Sequence, residues 1–276
     1  MDDDALERLR TSLRGLESVL VAFSGGGDSS LVLDIAQEVL GSRCVALTAV
    51  SAAVPGHEVA AARSLAQSLG ARHLVIDTDE TRIAGYASNP PDRCWYCKDN
   101  LYSICRTEAD RLEIMTIVDG VNLDDLKDHR PGLIAATEHG VRHPLVEAGL
   151  DKQGLRKISA ARGLPTADKP ASPCLASRIP YGTPVTREIL GRIERAEAAV
   201  WALGFSDLRV RVNGDSARIS VPLAELPRAQ EEKRHEALLE GVRRAGFRSA
   251  VLDLVGLRSG SLNDALPKEL RGRKSP

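Results

Sequence analysis

The chain has 276 residues, enough for a sizeable core and more than one domain. Apolar residues make up 43% and aromatic residues 3%, and 37 basic against 38 acidic side chains leave a formal net charge of −1. That balance excludes the broad positive field of a nucleic-acid binder. The start, MDDDALERLR, is acidic and then amphipathic, unlike a signal peptide, and no apolar run is long enough to span a bilayer. Five cysteines without a secretory leader argue against a disulfide framework and for the cytoplasm.

In chain order, short apolar runs at Val19–Phe23, Val45–Val50, His73–Ile76 and Met115–Val118 read as buried strands. Helical patterns at Ser29–Leu40, Gly56–Leu69 and Asp92–Leu112 separate them. Apolar strands alternating with helices predict an α/β fold with a doubly wound parallel sheet. From Leu164 to Thr186 the periodicity dissolves, and five prolines predict a functional loop without a regular element. A helix at Arg187–Leu203 follows. Strands at Leu208–Val212 and Ala217–Val221 flank the turn residues Asn213-Gly214-Asp215, and AVLDLV, residues 250–255, completes a small C-terminal α+β domain. The expected division is an ATP-binding domain over residues 1–165, a cysteine-bearing loop over 166–185, the small domain over 186–265 and a mobile basic tail over 266–276.

SGGGDSS follows the first strand and opens a helix. Gly25, Gly26 and Gly27 permit a tight turn and close approach of backbone N–H groups to an anion. The helix N-terminus adds partial positive charge, and Ser24, Ser29 and Ser30 supply hydroxyls. Asp28 would repel phosphates unless a metal intervenes, which makes it a candidate Mg²⁺ ligand. The stretch is neither GxxxxGK[ST] nor GxGxxG; it resembles the SGGxDS loop of the PP-loop ATPases, which cleave ATP between its α and β phosphates. DGVNLDD leaves the fourth strand where ligands bind in open α/β sheets. Gly120 there is a candidate nucleotide contact, and Asp124 is either a second metal ligand or an acidic helix cap.

RCWYCK places Cys94 and Cys97 one turn apart on one helix face, after a helix start at Pro90-Pro91-Asp92. Zinc would want a second pair of ligands, which is lacking, and a thioredoxin-like motif would not sit beside a nucleotide loop. Cys44 heads a strand and Cys105 reads as core packing. Cys174, in the proline-rich loop near Lys169, Ser177 and Arg178, has cationic neighbours that favour a thiolate. Three thiolates suit a [4Fe–4S] cluster with one iron open; a buried, inert pair with a chance loop cysteine is the alternative.

AFSGGGDSS, RCWYCK, DGVNLDDLKDHRPG, RHPLVEAGLDK, PASPCLASRIPYG and IERAEAAVWALGF followed by RVRVNG resemble, over nearly the whole chain, the LarE family of ATP-dependent sulfurtransferases. The resemblance implies a nicotinate-derived mononucleotide with two ring carboxylates, each adenylated by ATP and converted to a thiocarboxylate with release of AMP. The product becomes the nickel-pincer cofactor of lactate racemase and related enzymes. With Cys94, Cys97 and Cys174 all present, the chain resembles the members thought to deliver sulfide from an iron–sulfur cluster; other members sacrifice the sulfur of the cysteine matching Cys174. The resemblance further implies a homo-oligomer, a sulfide donor and a nickel-insertion partner downstream. Arg178 would offset charge at the α-phosphorus, with Ser177 beside it. Trp95 could stack on the pyridinium ring, and Glu197 matches a family acid near Arg209 and Arg211, which share one strand face suited to a substrate phosphate or carboxylate. Ser220 stands where the family has a glutamate, whereas Gly27 in place of valine looks harmless.

Three rivals remain open. A tRNA thiolase would need a basic patch, which the charge balance disfavours. An ammonia-dependent synthetase such as the one that makes NAD would leave three placed cysteines idle. A nucleotide-binding regulatory module would form no AMP.

Overall fold

The structure, a computed structural model, describes residues 2–127, 130–205 and 207–258. In chain order the helices are α1 (Asp2–Arg14), α2 (Gly27–Leu40), α3 (Gly56–Ser68), α4 (Ala84–Ala87), α5 (Arg93–Arg111), α6 (Pro131–Glu138), α7 (Pro144–Glu147), α8 (Lys152–Ala161), α9 (Arg187–Trp201), α10 (Leu226–Ala229) and α11 (Glu232–Arg244). The strands are β1 (Val19–Ala22), β2 (Cys44–Val50), β3 (Arg72–Asp77), β4 (Thr116–Val118), β5 (Arg209–Asn213), β6 (Ser216–Ser220) and β7 (Ser249–Leu252). Each strand read from the sequence is present within a residue or three of its expected ends. No described helix is long and apolar enough to cross a membrane.

The chain divides into two compact units: one runs to Glu80 and resumes over Asp92–Ser172, and the other takes Thr81–Pro91 and the described residues from Pro173 onward. The first unit is the expected α/β fold. Its sheet is parallel in the order β3-β2-β1-β4. Successive side chains of a strand point to opposite faces, and β1 is buried on both. Val19 and Val21 pack with Leu9 and Leu13 of α1, Leu31 and Ile35 of α2 and Leu155 and Ile158 of α8. Leu20 packs on the other face with Leu47, Ile117, Tyr102 and Cys105 of α5 and Ala135 of α6. The strand order reverses between β1 and β4, and in such sheets the crevice beyond the carboxyl ends at that switch point receives the ligand. Both SGGGDSS and DGVNLDD leave the sheet there.

The second unit holds a three-stranded sheet in the order β5-β6-β7, with β5 and β6 antiparallel around Gly214 at φ 60° and β7 parallel to β6. The proline-rich segment is more ordered than its composition predicts. CLASR lacks proline, and Leu175–Arg178 forms one 3₁₀ turn, closed by the Ser177 N–H donating to the Cys174 carbonyl at 2.9 Å. Buried Asn89 satisfies the following turn: its Nδ2 donates to the Pro180 and Thr183 carbonyls at 2.8 and 2.9 Å, and its own carbonyl accepts from Gly182 N at 2.9 Å. The expected tail over 266–276 lies outside the described residues.

Candidate active site

Ser24–Ser30 forms a compact loop running from β1 into α2. Gly25 has φ +71°, and a Cβ there would lie 2.8 Å from the Ala62 Cβ, so only glycine fits. A Cβ at Gly27 would meet the Thr166 carbonyl at 3.1 Å, so the missing side chain matters more in this chain than the motif implies. Ser24 Oγ accepts from Gly26 N at 3.3 Å and lies 3.1 Å from Ser29 Oγ. Fully buried Ser30 donates to the Gly26 carbonyl at 2.7 Å. The Ser30 hydroxyl therefore closes the loop on itself at the start of α2, and a helix N-terminus of this kind suits an anion.

DGVNLDD meets this loop directly. Gly120 is pressed on it so closely that a Cβ would lie 2.6 Å from Ser29 N. Asn122 Nδ2 donates to Asp28 Oδ2 at 3.2 Å, and the Lys152 ammonium contacts Asp28 Oδ1. Asp124 caps neighbouring backbone: its Oδ2 accepts from Lys152 N at 2.9 Å and its Oδ1 pairs with Lys127 at 2.6 Å. Hydrogen bonding from Lys127 and from that backbone N–H lowers the Asp124 pKa from its ordinary value. Both acids offer carboxylate oxygens of the hard type Mg²⁺ prefers, so the donor chemistry fits the ion, although Lys152 already neutralises Asp28. Lys169 completes the surround, with Nζ donating to the Gly25 carbonyl at 3.0 Å and to Glu58 Oε2 at 2.6 Å. Burial of Glu58 opposes its ionisation, but hydrogen bonds from Lys169 and Ser172 outweigh it and hold the carboxyl below its ordinary value. Lys152 and Glu58 went unread in the sequence; a lysine directly after the Asp151 cap of α8 was the available signal for the first.

No disulfide joins the five cysteines. Cys44 and Cys105 are buried, and burial pushes both thiols up to about 12, too high for thiolate chemistry at neutral pH. Cys94 is exposed, and Cys97 and Cys174 are half-buried, so the sites accessible to soft metals are the three the motifs selected. That donor set fits an iron–sulfur cluster chemically. Among the described residues, however, no three His, Cys, Asp or Glu side chains are gathered as a metal site. Cys94 and Cys97 ride the first turns of α5. Trp95, between them, donates its indole N–H to Glu138 at 3.0 Å and meets the Tyr96 ring edge-on at 5.1 Å.

In the second unit, Cys174 precedes the 3₁₀ turn and Arg178 ends it. Arg178 is 3% exposed. Its Nε and Nη2 donate to Glu197 Oε1 and Oε2 at 2.8 and 3.0 Å, and its Nη1 reaches the Pro173 carbonyl at 2.7 Å and Ser177 Oγ at 2.8 Å. Glu197 also accepts from Val210 N at 2.9 Å, which ties the turn, α9 and β5 together. Arg209 is engaged by Asp207 at 2.5 Å, whereas Arg211 lies opposite Arg218 in the β5–β6 register. Arg211, Arg218 and Pro180 line a cavity of about 280 Å³. Burial first, and then the guanidinia of Arg218, Arg178 and Arg209, lower the Arg211 pKa, with Asp253 opposing them. Ser220 accepts from Arg211 at 3.1 Å and passes its hydroxyl hydrogen to Asp253 at 3.2 Å, where a glutamate would have placed a charge.

A family model described as NAD synthase matches residues 6–109. A curated protein of Synechocystis sp., slr1717, described as uncharacterized, is 41% identical over 268 residues, covering 97% of this chain and 100% of its own. The pyridinium-3,5-bisthiocarboxylic acid mononucleotide synthase of Lactiplantibacillus plantarum is 37% identical over 261 residues, 94% of each chain. MJ0830 of Methanocaldococcus jannaschii, also described as uncharacterized, is 26% identical over 88% of this chain and 92% of its own.

Proposed function

Since the chain belongs to the family of the pyridinium-3,5-bisthiocarboxylic acid mononucleotide synthase, we propose that it inserts sulfur, with consumption of ATP, into a nicotinate-derived mononucleotide bearing two carboxylates, for nickel-pincer cofactor synthesis. The observation that carries this is the span of that likeness, 94% of both chains, where the NAD synthase model stops at residue 109. The likeness therefore includes the segment with Cys174 and the arginine-lined sheet, as well as the nucleotide half.

The backbone N–H groups of the Ser24–Ser30 loop hold the ATP phosphates, with Gly120, which packs on that loop, as a further nucleotide contact. Mg²⁺ would be held by Asp28, with Asp124 beside it, and would neutralise phosphate charge. A substrate carboxylate oxygen attacks the α-phosphorus; the bond to the bridging oxygen breaks, pyrophosphate leaves, and an acyl-adenylate forms. Sulfide then adds at the acyl carbon and AMP departs with the electron pair of the broken C–O bond, leaving a thiocarboxylate. Cys94, Cys97 and Cys174 would hold a [4Fe–4S] cluster, which when bound would supply sulfide. Arg211 and Arg209 orient the substrate's phosphate or carboxylate, with Trp95 and Ser177 as further contacts. Arg178, buried and paired with Glu197, serves this scheme by fixing the Cys174 turn. A cytoplasmic homo-oligomer that takes sulfide from a donor protein and passes product to a nickel-insertion partner completes the reading.

The second reading, an ammonia-dependent synthetase, is favoured by the NAD synthase match over residues 6–109. One assay separates the two. The purified chain, reconstituted anaerobically with iron and sulfide, is given MgATP and the dicarboxylate mononucleotide, and AMP is measured with sulfide or with ammonia. AMP release that requires sulfide, with a product mass increase of one O→S exchange per step, supports sulfur insertion. Release that requires ammonia overturns it. About four irons per chain, lost in Cys94→Ala, Cys97→Ala and Cys174→Ala, support the cluster.

A further inference from the structure

The end of β4 carries a buried polar cluster with no part in the scheme above. Asp119 is 3% exposed. Its Oδ1 accepts from His143 Nδ1 at 2.7 Å and from Val121 N at 3.1 Å, and its Oδ2 accepts from Tyr102 Oη at 2.7 Å. An ionised carboxylate can only accept, so this network places a hydrogen on His143 Nδ1. Two of the three bonds anchor Asp119 to other elements, α5 through Tyr102 and the start of α7 through His143. The third closes the backbone around Gly120, the residue wedged against Ser29 N at the start of α2. Asn122, next in line, reaches Asp28.

We propose that His143 is a positioning residue for the phosphate loop, acting through Asp119 on Gly120 and hence on the Ser29 N–H. The proposal rests on the reading of Ser24–Ser30 as the ATP phosphate site. A backbone donor must hold its N–H···O distance to the phosphate oxygen to within a few tenths of an ångström of about 2.9 Å to bind it well. Gly120 packs against the Asp28–Ser29 peptide and so bears on that position, and Asp119 holds the backbone around Gly120.

The hold depends on charge. His143 faces Asp119 at the end of β4, Glu147 of α7 and Lys98 of α5, while Tyr102 of α5 reaches it through Asp119. Burial disfavours the imidazolium, but the Asp119 hydrogen bond and charge, then the Glu147 charge, outweigh burial and Lys98, and the His143 pKa is raised from 6.5. A raised value in the folded chain means that the ion pair is complete below pH 6.5 and is lost as pH climbs through the folded pKa.

The test is the dissociation constant of MgATP, by calorimetry from pH 6 to 8.5, for the full-length wild type, His143→Asn and Tyr102→Phe. Asparagine keeps a donor to Asp119 but no charge. The wild type is expected to weaken as pH rises. His143→Asn should bind about threefold to tenfold more weakly at pH 6 and converge on the wild type at high pH. Tyr102→Phe removes a non-titrating anchor, so it should keep the wild-type pH dependence. Glu147→Gln, which leaves His143 itself intact, should move the wild-type midpoint to lower pH. Equal pH profiles for wild type and His143→Asn, or a loss of melting temperature in His143→Asn with the profile unchanged, would overturn the positioning role alone. Absence of MgATP binding by wild type at every pH would overturn the phosphate-loop reading as well.

Discussion

Arg178 and Glu197, nineteen residues apart, form a two-pronged ion pair at 2.8 and 3.0 Å with side chains only 3% and 7% exposed. A bidentate guanidinium–carboxylate pair is among the strongest polar contacts a protein makes, and inside the fold its partners are interdependent. Five oxygens that accept from Arg178 belong to the Pro173–Ser177 segment and Glu197, the Cys174 carbonyl among them. The pair thereby sets the backbone that carries Cys174.

Removing either partner leaves the other charge buried and alone. Arg178→Ala and Glu197→Ala should each lower unfolding free energy by about 3–5 kcal/mol in urea titrations of the full chain. Arg178→Lys should recover only part of this, since an ammonium cannot bridge both carboxylate oxygens. An Arg178→Ala chain that lost turnover at wild-type stability would point instead to direct action at the α-phosphorus.

Lys169→Met should raise the pH at which the protein unfolds in acid. The Glu58 carboxyl lies below its ordinary value in the folded chain, so it contributes stability above about pH 4.5 that is lost as pH falls through the folded pKa. Without Lys169 the burial of Glu58 is opposed by the Ser172 hydrogen bond and the His57 charge alone, and its carboxyl takes up a proton sooner. Circular dichroism from pH 6 to 2 reads the midpoint, and one that stays in place would mean that Glu58 finds another cation.

Gly120→Ala and Gly25→Ala test the loop by volume. At Gly120 the added carbon meets the backbone at Ser29 N, 2.6 Å away, and the loop must shift. At Gly25 it meets the Ala62 Cβ at 2.8 Å in a left-handed conformation. Both variants should bind MgATP at least tenfold more weakly, a loss of about 1.4 kcal/mol or more. Gly70→Ala has φ +66° with open space around the position, and serves as the control for backbone strain alone.

Thiol reactivity should follow burial. Iodoacetamide at pH 8, with sites read by peptide mass spectrometry, should label Cys94, Cys97 and Cys174 in the native apo chain and reach Cys44 and Cys105 only after denaturation. Iron–sulfur reconstitution should protect the first three together. Protection of Cys94 and Cys97 without Cys174 would break the three-thiolate assignment.

Much of this was readable beforehand. The β1 run VLVA and the glycines after it mark a strand and a tight turn into α2 through neighbours in sequence, and a proline pair followed by Asp92 marks the start of α5. The ordering of the proline-rich segment was not readable, because Asn89, ninety residues upstream, satisfies its carbonyls.

By itself the sequence determined the α/β alternation, the glycine turn after β1 and the cysteines worth watching, since periodicity, turn chemistry and helix-face spacing act over a few residues. Only the tertiary structure decided which charges meet. Lys152 lies 124 residues from Asp28, Lys169 lies 111 from Glu58, and Asp119 lies 24 from His143. No local pattern encodes those pairings, because each exists only where the packing of α2, α3, α7 and α8 around the sheet brings separate segments within reach of a hydrogen bond.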